Sequence, residues 1–96
     1  MDQSVKRADR ITDRVGHGRT NKLCDVIWAK DALACLGRYP RSGEECHGYI
    51  DLALHEAIQG YQRDRGLRRD GYMAPGGQTE STIWLELARL AGRNEQ

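Results

Sequence analysis

Arg63, Arg65, Arg68 and Arg69 crowd into positions 63–69 against one carboxylate, Asp64. A guanidinium is planar and carries a fork of N–H donors, so it suits carboxylate or phosphate partners better than lysine does. Gln62, Asp70 and Tyr72 flank this run, and Tyr39 and Arg41 stand in an earlier turn that also carries glycines. A tyrosine offers an apolar ring face with a polar tip. Arginines can grip carboxylates in a bidentate way. Gln62 and Asp70 either line a groove or tie turns down by bonding backbone groups. Tyr39, Arg41, Gln62, Arg68, Arg69, Asp70 and Tyr72 are therefore the candidate ligand-binding residues.

Reactive chemistry is harder to find. The cysteines, Cys24, Cys35 and Cys46, are odd in number and form no CxxC pair, which argues against a complete disulfide framework. Cys24 and Cys35 would sit roughly 16 Å apart on one helix, too far for a bond to each other. A Cys35–Cys46 bridge stays open. The expected role is that of small thiols, buried or half-buried. His17, His47 and His55 lack metal spacing, and His47 beside Cys46 supplies two ligands where structural zinc wants four. Glu44-Glu45 are loop neighbours whose side chains diverge, and His55-Glu56 has no third partner. No catalytic residue, metal-ligand set or cofactor is expected.

These residues need elements to hold them. With 96 residues the chain forms one domain with a modest core. Hydrophobic and charged fractions of 39% and 30% fit a soluble globular protein. No apolar run of about 18 residues exists, so no membrane span is expected. The N-terminus leads into no apolar stretch and is no secretory signal, which points to cytoplasmic synthesis followed by assembly into a particle or by non-classical export. A net charge of +1 is poor support for nucleic-acid binding, and the third helical run carries Glu80 and Glu86 with Arg89 as its basic residue.

Residues 1–22 read as a polar arm with Val5, Ile11 and Val15 as sparse apolar positions, ending in a turn at Gly16 and Gly18. Next comes CDVIWAKDALACLG, where Val26, Ala29, Leu33 and Leu36 make one helical stripe. Asn21 or Asp25 could cap its start, and Gly37 stands where a left-handed end residue is wanted. The loop RYPRSGEECHGY follows. In DLALHEAIQGYQRDRG, Asp51 is a candidate cap and Leu54, Ala57, Ile58 and Tyr61 form the stripe. Gly60 inside this run costs about 1 kcal/mol against Ala, which a close helix crossing would explain. Gly66 stops the helix, and Leu67 can fold back on its last turn. Two turns, Asp70-Gly71 and Pro75-Gly76-Gly77, lead to TESTIWLELARLAG, with Thr79 as a cap, Ile83, Leu87 and Leu90 on one face, and Gly92 as the end. Trp28 and Trp84 lie off the stripes, facing the arm or a partner. The expected architecture is all-α: three short helices with long structured loops, and no strand of useful length.

Four segments, in order, carry a resemblance. DVIWAKDALACLGRY resembles the opening helix and turn of the peptidoglycan-binding domain, a small three-helix module attached to many cell-wall hydrolases. HGYIDLALHEAIQGYQRDRGLRRDGYM is similar to its next part, a glycine-aromatic turn followed by A-(V/I)-x-x-(F/Y)-Q and G-L-x-x-D-G. PGGQTESTI is similar to the segment that opens its third helix. VGHGRTNKLCDV resembles a motif preceding the first helix in a subset that includes phage-associated domains. The match spans about residues 15–90. Tyr61 stands where the family usually has phenylalanine, and His47-Gly48 replaces a usual Asp-Gly.

The resemblance implies a non-catalytic module that binds bacterial cell-wall peptidoglycan, glycan strand or stem peptide, for targeting or anchoring. The domain would span residues 23–92, with residues 1–22 as an arm and 93–96 as a tail. An alternative keeps the fold and changes the partner: a structural adaptor of a phage-like particle, contacting virion or tail proteins through residues 1–22.

Overall fold

The computed structural model describes residues 10–40 and 48–94. Arg41, Glu44, Glu45, Cys46 and His47 lie outside the described residues. Helix α1 runs Leu23–Cys35, α2 Leu52–Asp64 and α3 Gln78–Asn94. A two-residue strand β1, Val15–Gly16, pairs antiparallel with β2, Tyr72–Met73, placing Val15 opposite Met73 and Gly16 opposite Tyr72. The all-α expectation holds. The strand pair is too short to leave a period in the sequence. A Cβ on Gly16 would come within 2.3 Å of the Tyr72 Cβ, so this pairing needs a glycine.

The predicted stripes supply most of the core, although Leu90 of the third stripe is not part of it. Val26, Ala29 and Leu33 of α1, Leu54, Ala57, Ile58 and Tyr61 of α2, and Ile83 of α3 are all buried. Leu36, Leu87 and Leu67 pack against them from the rim. Full burial of one large apolar side chain contributes about 1.5–3 kcal/mol. Four more core residues come from outside the helices: Ile11, Val15, Tyr39 and Met73. The segment 10–22 thus carries two core side chains within what reads as a polar arm.

Two of the three helix ends predicted from glycine form as expected. Gly37 (φ +76°) closes α1, with Arg38 N–H donating to Leu33 O at 2.7 Å and Gly37 N–H to Ala34 O at 3.0 Å. Gly66 (φ +70°) repeats the arrangement on α2, where Leu67 N–H reaches Gln62 O at 2.9 Å and Gly66 N–H reaches Arg63 O at 3.2 Å. Glycine takes this left-handed backbone at no steric cost. Gly92 does not end α3, which continues to Asn94.

The helix starts depart more. Asp51 caps α2 as predicted, accepting Leu54 N–H at 2.8 Å. Neither Asn21 nor Asp25 caps α1, whose N-cap is Lys22 without a side-chain bond. Asn21 instead takes a positive φ of 54° and closes the preceding turn, its amide bonded to both the N–H and the C=O of Gly16. Asp25 is buried and accepts Thr12 N–H, Thr12 hydroxyl and Asp13 N–H at 2.9–3.0 Å. Thr79 lies inside α3, not at its cap, with its hydroxyl turned to Gln62. The side chain serving the start of α3 is Glu80, which accepts Gly76 N–H at 2.9 Å.

Three charged residues, Asp25, Lys30 and Glu80, are buried. Each has a partner from another part of the chain, as burial of charge requires. Lys30 pairs with Asp51 at 3.2 Å. Glu80 receives Arg10 Nε at 3.1 Å, Arg10 Nη2 at 2.8 Å and the Ile11 N–H at 3.1 Å. The thiols correct an expectation: Cys24 and Cys35 are exposed. They sit on the face of α1 opposite its core stripe, beside a groove lined also by Trp28 and Trp84.

Candidate functional site

The loop joining α2 to β2 is organised from beneath by one side chain. Gln62 is fully buried. Its amide nitrogen donates to Asp70 Oδ1 at 2.9 Å, Thr79 Oγ1 at 2.9 Å and Tyr72 O at 3.1 Å. Its oxygen accepts Gly71 N–H at 3.0 Å. The carboxamide thus ties α2 to the Asp70-Gly71 turn, to β2 and to α3 at once. It has no surface left for a ligand, so Gln62 positions the site and does not line it.

Above this support lies a cavity of about 250 Å³, lined by Arg68, Asp70, Tyr72, Ala74 and Gln78 among others. Three of the predicted residues therefore come together. Arg68 is anchored by its backbone, its N–H donating to Gln78 Oε1 at 3.0 Å. Its exposed side chain makes no hydrogen bond or ion pair among the described residues. Asp70 faces inward in part, accepting Tyr72 N–H at 3.3 Å besides the Gln62 bond. The Tyr72 ring is half-buried and stacked by the Arg19 guanidinium, 4.0 Å from its centroid. The wall of the cavity thus combines a fixed aromatic ring with an unengaged guanidinium.

The other predicted residues lie elsewhere. Tyr39 is buried, and its hydroxyl donates to Asp51 Oδ2 at 2.9 Å. Burial of Asp51 works against ionisation, but Leu54 N–H, the Tyr39 hydroxyl and Lys30 together hold its carboxyl below the usual range. Tyr39 is therefore part of the brace between α1 and α2 and presents no open ring. Arg69 is adjacent to Arg68 in sequence yet lines a different cleft of about 620 Å³, walled also by Arg38, Arg63, Glu56 and Gly60.

Gly60 lies on the floor of that cleft. Among the described residues no helix crosses closely there, contrary to the sequence expectation. A Cβ on Gly60 would meet Arg38 Nη1 at 3.7 Å and Arg63 Nη2 at 3.9 Å, ordinary contacts with flexible side-chain ends. Arg38 and Arg63 share one carboxylate, Asp64, at 2.6 and 3.0 Å. The two guanidinium groups hold the Asp64 carboxyl below its ordinary range.

Arg65, the remaining arginine of the run, is committed to structure. It is bonded to both oxygens of Glu86, which also accepts the Tyr61 hydroxyl at 2.7 Å. The Arg65 bonds, opposed by burial and helped by the Tyr61 hydroxyl, lower the Glu86 carboxyl to about 2. Burial, together with the Glu86 carboxylate, pushes the Tyr61 phenol up. Arg65 and Arg38 flank the Tyr61 ring, 4.9 and 5.7 Å from its centroid.

Sequence reasoning missed Arg19 and Arg38. Neither lies in the arginine run, and each reaches its cavity only through tertiary packing. His17 and His55 lack metal spacing in the sequence, yet their rings lie 5.5 Å apart. Among the described residues no three His, Cys, Asp or Glu side chains converge as a metal site. Among the described residues no helix is long and apolar enough to cross a membrane.

The chain matches the family model described as "Putative peptidoglycan binding domain" over residues 24–79. No curated protein and no solved structure matches it significantly. The matched region takes in α1, α2, the Gln62-braced loop and the first residues of α3. With more than half of its length under that model, the chain belongs to the peptidoglycan binding domain family.

Proposed function

We propose that this domain binds cell-wall peptidoglycan without acting on it, as a targeting or anchoring module. The contact surface is the cavity beside the Asp70-Gly71 turn. The observation that carries this reading is the grouping of Arg68, Asp70 and Tyr72 around that cavity on a loop fixed by Gln62. A polymer presenting sugar faces and free carboxylates would meet an aromatic ring and an unengaged guanidinium there. A cavity of about 250 Å³ is small beside typical ligand pockets of about 300–1,000 Å³, which fits one residue of a polymer held weakly.

Co-sedimentation with purified sacculi tests the proposal. The full chain pellets with sacculi, more weakly as salt rises. The double variant Arg68→Ala/Tyr72→Ala keeps its helical signal and loses retention by roughly tenfold, about 1.4 kcal/mol. Equal retention of the variant, or none of the parent at high sacculus load, would overturn it. The adaptor alternative keeps the same fold and predicts co-purification with virion or tail proteins instead. The contacts of Arg10, Ile11, Thr12 and Val15 within the domain leave less of residues 1–22 for such a partner.

A further inference from the structure

We propose a second binding site: the cleft walled by Arg38, Arg63 and Arg69 over Gly60 takes a free carboxylate of a peptidoglycan stem peptide. The identity of that ligand rests on the wall-binding reading above. The cleft itself is independent of the Tyr72 cavity, since Arg68 and Arg69 line different spaces.

Three features make the cleft a carboxylate site. First, its volume of about 620 Å³ lies in the range of ligand pockets, and the bare backbone of Gly60 keeps its floor open between two guanidinium groups. Second, among the described residues three guanidinium groups stand against two carboxylates, Glu56 and Asp64. Asp64 is shared by Arg38 and Arg63, and Arg69 has no partner among the described residues. Third, two of the guanidinium groups, those of Arg38 and Arg63, are already oriented. The C-terminal turn of α1 places Arg38, whose guanidinium also lies 5.7 Å from the centroid of Tyr61. Arg63 belongs to the last turn of α2. Prior ordering lowers the entropic cost of gripping a ligand.

Asp64 is then a resident counter-ion. It keeps Arg38 and Arg63 together while the cleft is empty and competes with an incoming carboxylate for both. An entering carboxylate pairs first with Arg69 and then shares the Arg38–Arg63 fork with Asp64. No bond is made or broken covalently, and no proton need move, because Asp64 is held ionised.

The test is a titration of the ¹⁵N-labelled full chain with a synthetic stem peptide, and with the same peptide bearing amidated carboxylates. The free acid is expected to shift the amide signals of Arg38, Gly60, Arg63 and Arg69. Amidation weakens binding by roughly fivefold or more, as loss of a charge-assisted pair would. Arg69→Gln weakens the free acid similarly. Asp64→Asn, which removes the competing carboxylate, tightens it, an effect that no folding defect would produce. Equal binding of acid and amide, shifts confined to the Tyr72 turn, or no gain from Asp64→Asn would overturn the proposal. Sacculus pelleting of the same samples keeps the two readings apart. A chain that pellets but ignores the acid retains wall binding and loses this site. A chain that binds the acid through Arg69 without pelleting retains the carboxylate site and loses the wall as its source.

Discussion

Arg10 and Glu80, separated by 70 residues of sequence, form a two-pronged ion pair in which the carboxylate is wholly buried. The same Glu80 accepts the Ile11 and Gly76 N–H groups, so one side chain joins the N-terminal segment to the first turn of α3. Removing it strands two backbone donors, the Ile11 and Gly76 N–H groups, and unpairs the half-exposed Arg10. Glu80→Ala is expected to lower unfolding stability by about 1–3 kcal/mol, the cost of leaving the Ile11 and Gly76 N–H groups without their acceptor. Urea denaturation followed by circular dichroism checks this. A loss below about 1 kcal/mol would show the pair to be dispensable.

Gln62 sits between the fold and the proposed ligand surface. Gln62→Ala leaves the Thr79 hydroxyl and Gly71 N–H buried without a partner. The expected cost is about 2–4 kcal/mol, with the Asp70-Gly71 turn loosened. Hydrogen exchange should rise at Gly71 and Tyr72 before it rises in α1. Uniform acceleration across the domain would instead mean that Gln62 acts on global stability alone.

Gly60 should behave unlike an ordinary mid-helix glycine. Its added Cβ would make only normal contacts, 3.7 and 3.9 Å, with arginine ends that can move. Gly60→Ala is therefore expected to stabilise α2 by about 0.5–1 kcal/mol through helix propensity. Thermal unfolding gives the sign directly. Destabilisation would restore the close crossing that the sequence implied.

The Tyr61–Glu86–Arg65 cluster gives a pH dependence. The folded Glu86 carboxyl is lowered from 4.5 to about 2, so its contribution is complete above the unfolded value and disappears as pH falls from 4.5 towards 2. The parent protein should lose stability through that window. Glu86→Gln should be less stable than the parent at pH 7 and should approach it near pH 2. Chemical denaturation at pH 7, 4 and 2.5 measures the convergence, and parallel curves would contradict it.

Exposure of Cys24 and Cys35 predicts modification without unfolding. Both thiols lie beside Trp28 and Trp84, so native-state alkylation should alter tryptophan emission while helical content stays constant. Peptide mapping after a short iodoacetamide pulse identifies the labelled positions. Labelling only after denaturant is added would mean that this face of α1 is covered in solution.

The sequence determined the parts governed by local physics. The stripes of α1, α2 and α3, the Asp51 cap and the left-handed closures at Gly37 and Gly66 depend on residues within about a turn of each other, and those residues name them. Family membership was legible for the same reason: such local signals recur at fixed spacing. Tertiary structure decided what adjacency could not. Arg65, Arg68 and Arg69 look equivalent in a charge run, yet one binds Glu86, one borders the Tyr72 cavity and one faces Arg38. Gln62 and Tyr39, polar enough to suggest a ligand, point inward because neighbouring side chains supply their hydrogen bonds. Direction and burial belong to a side chain's surroundings in space. Here those surroundings come from segments as distant as Arg10 and Glu80.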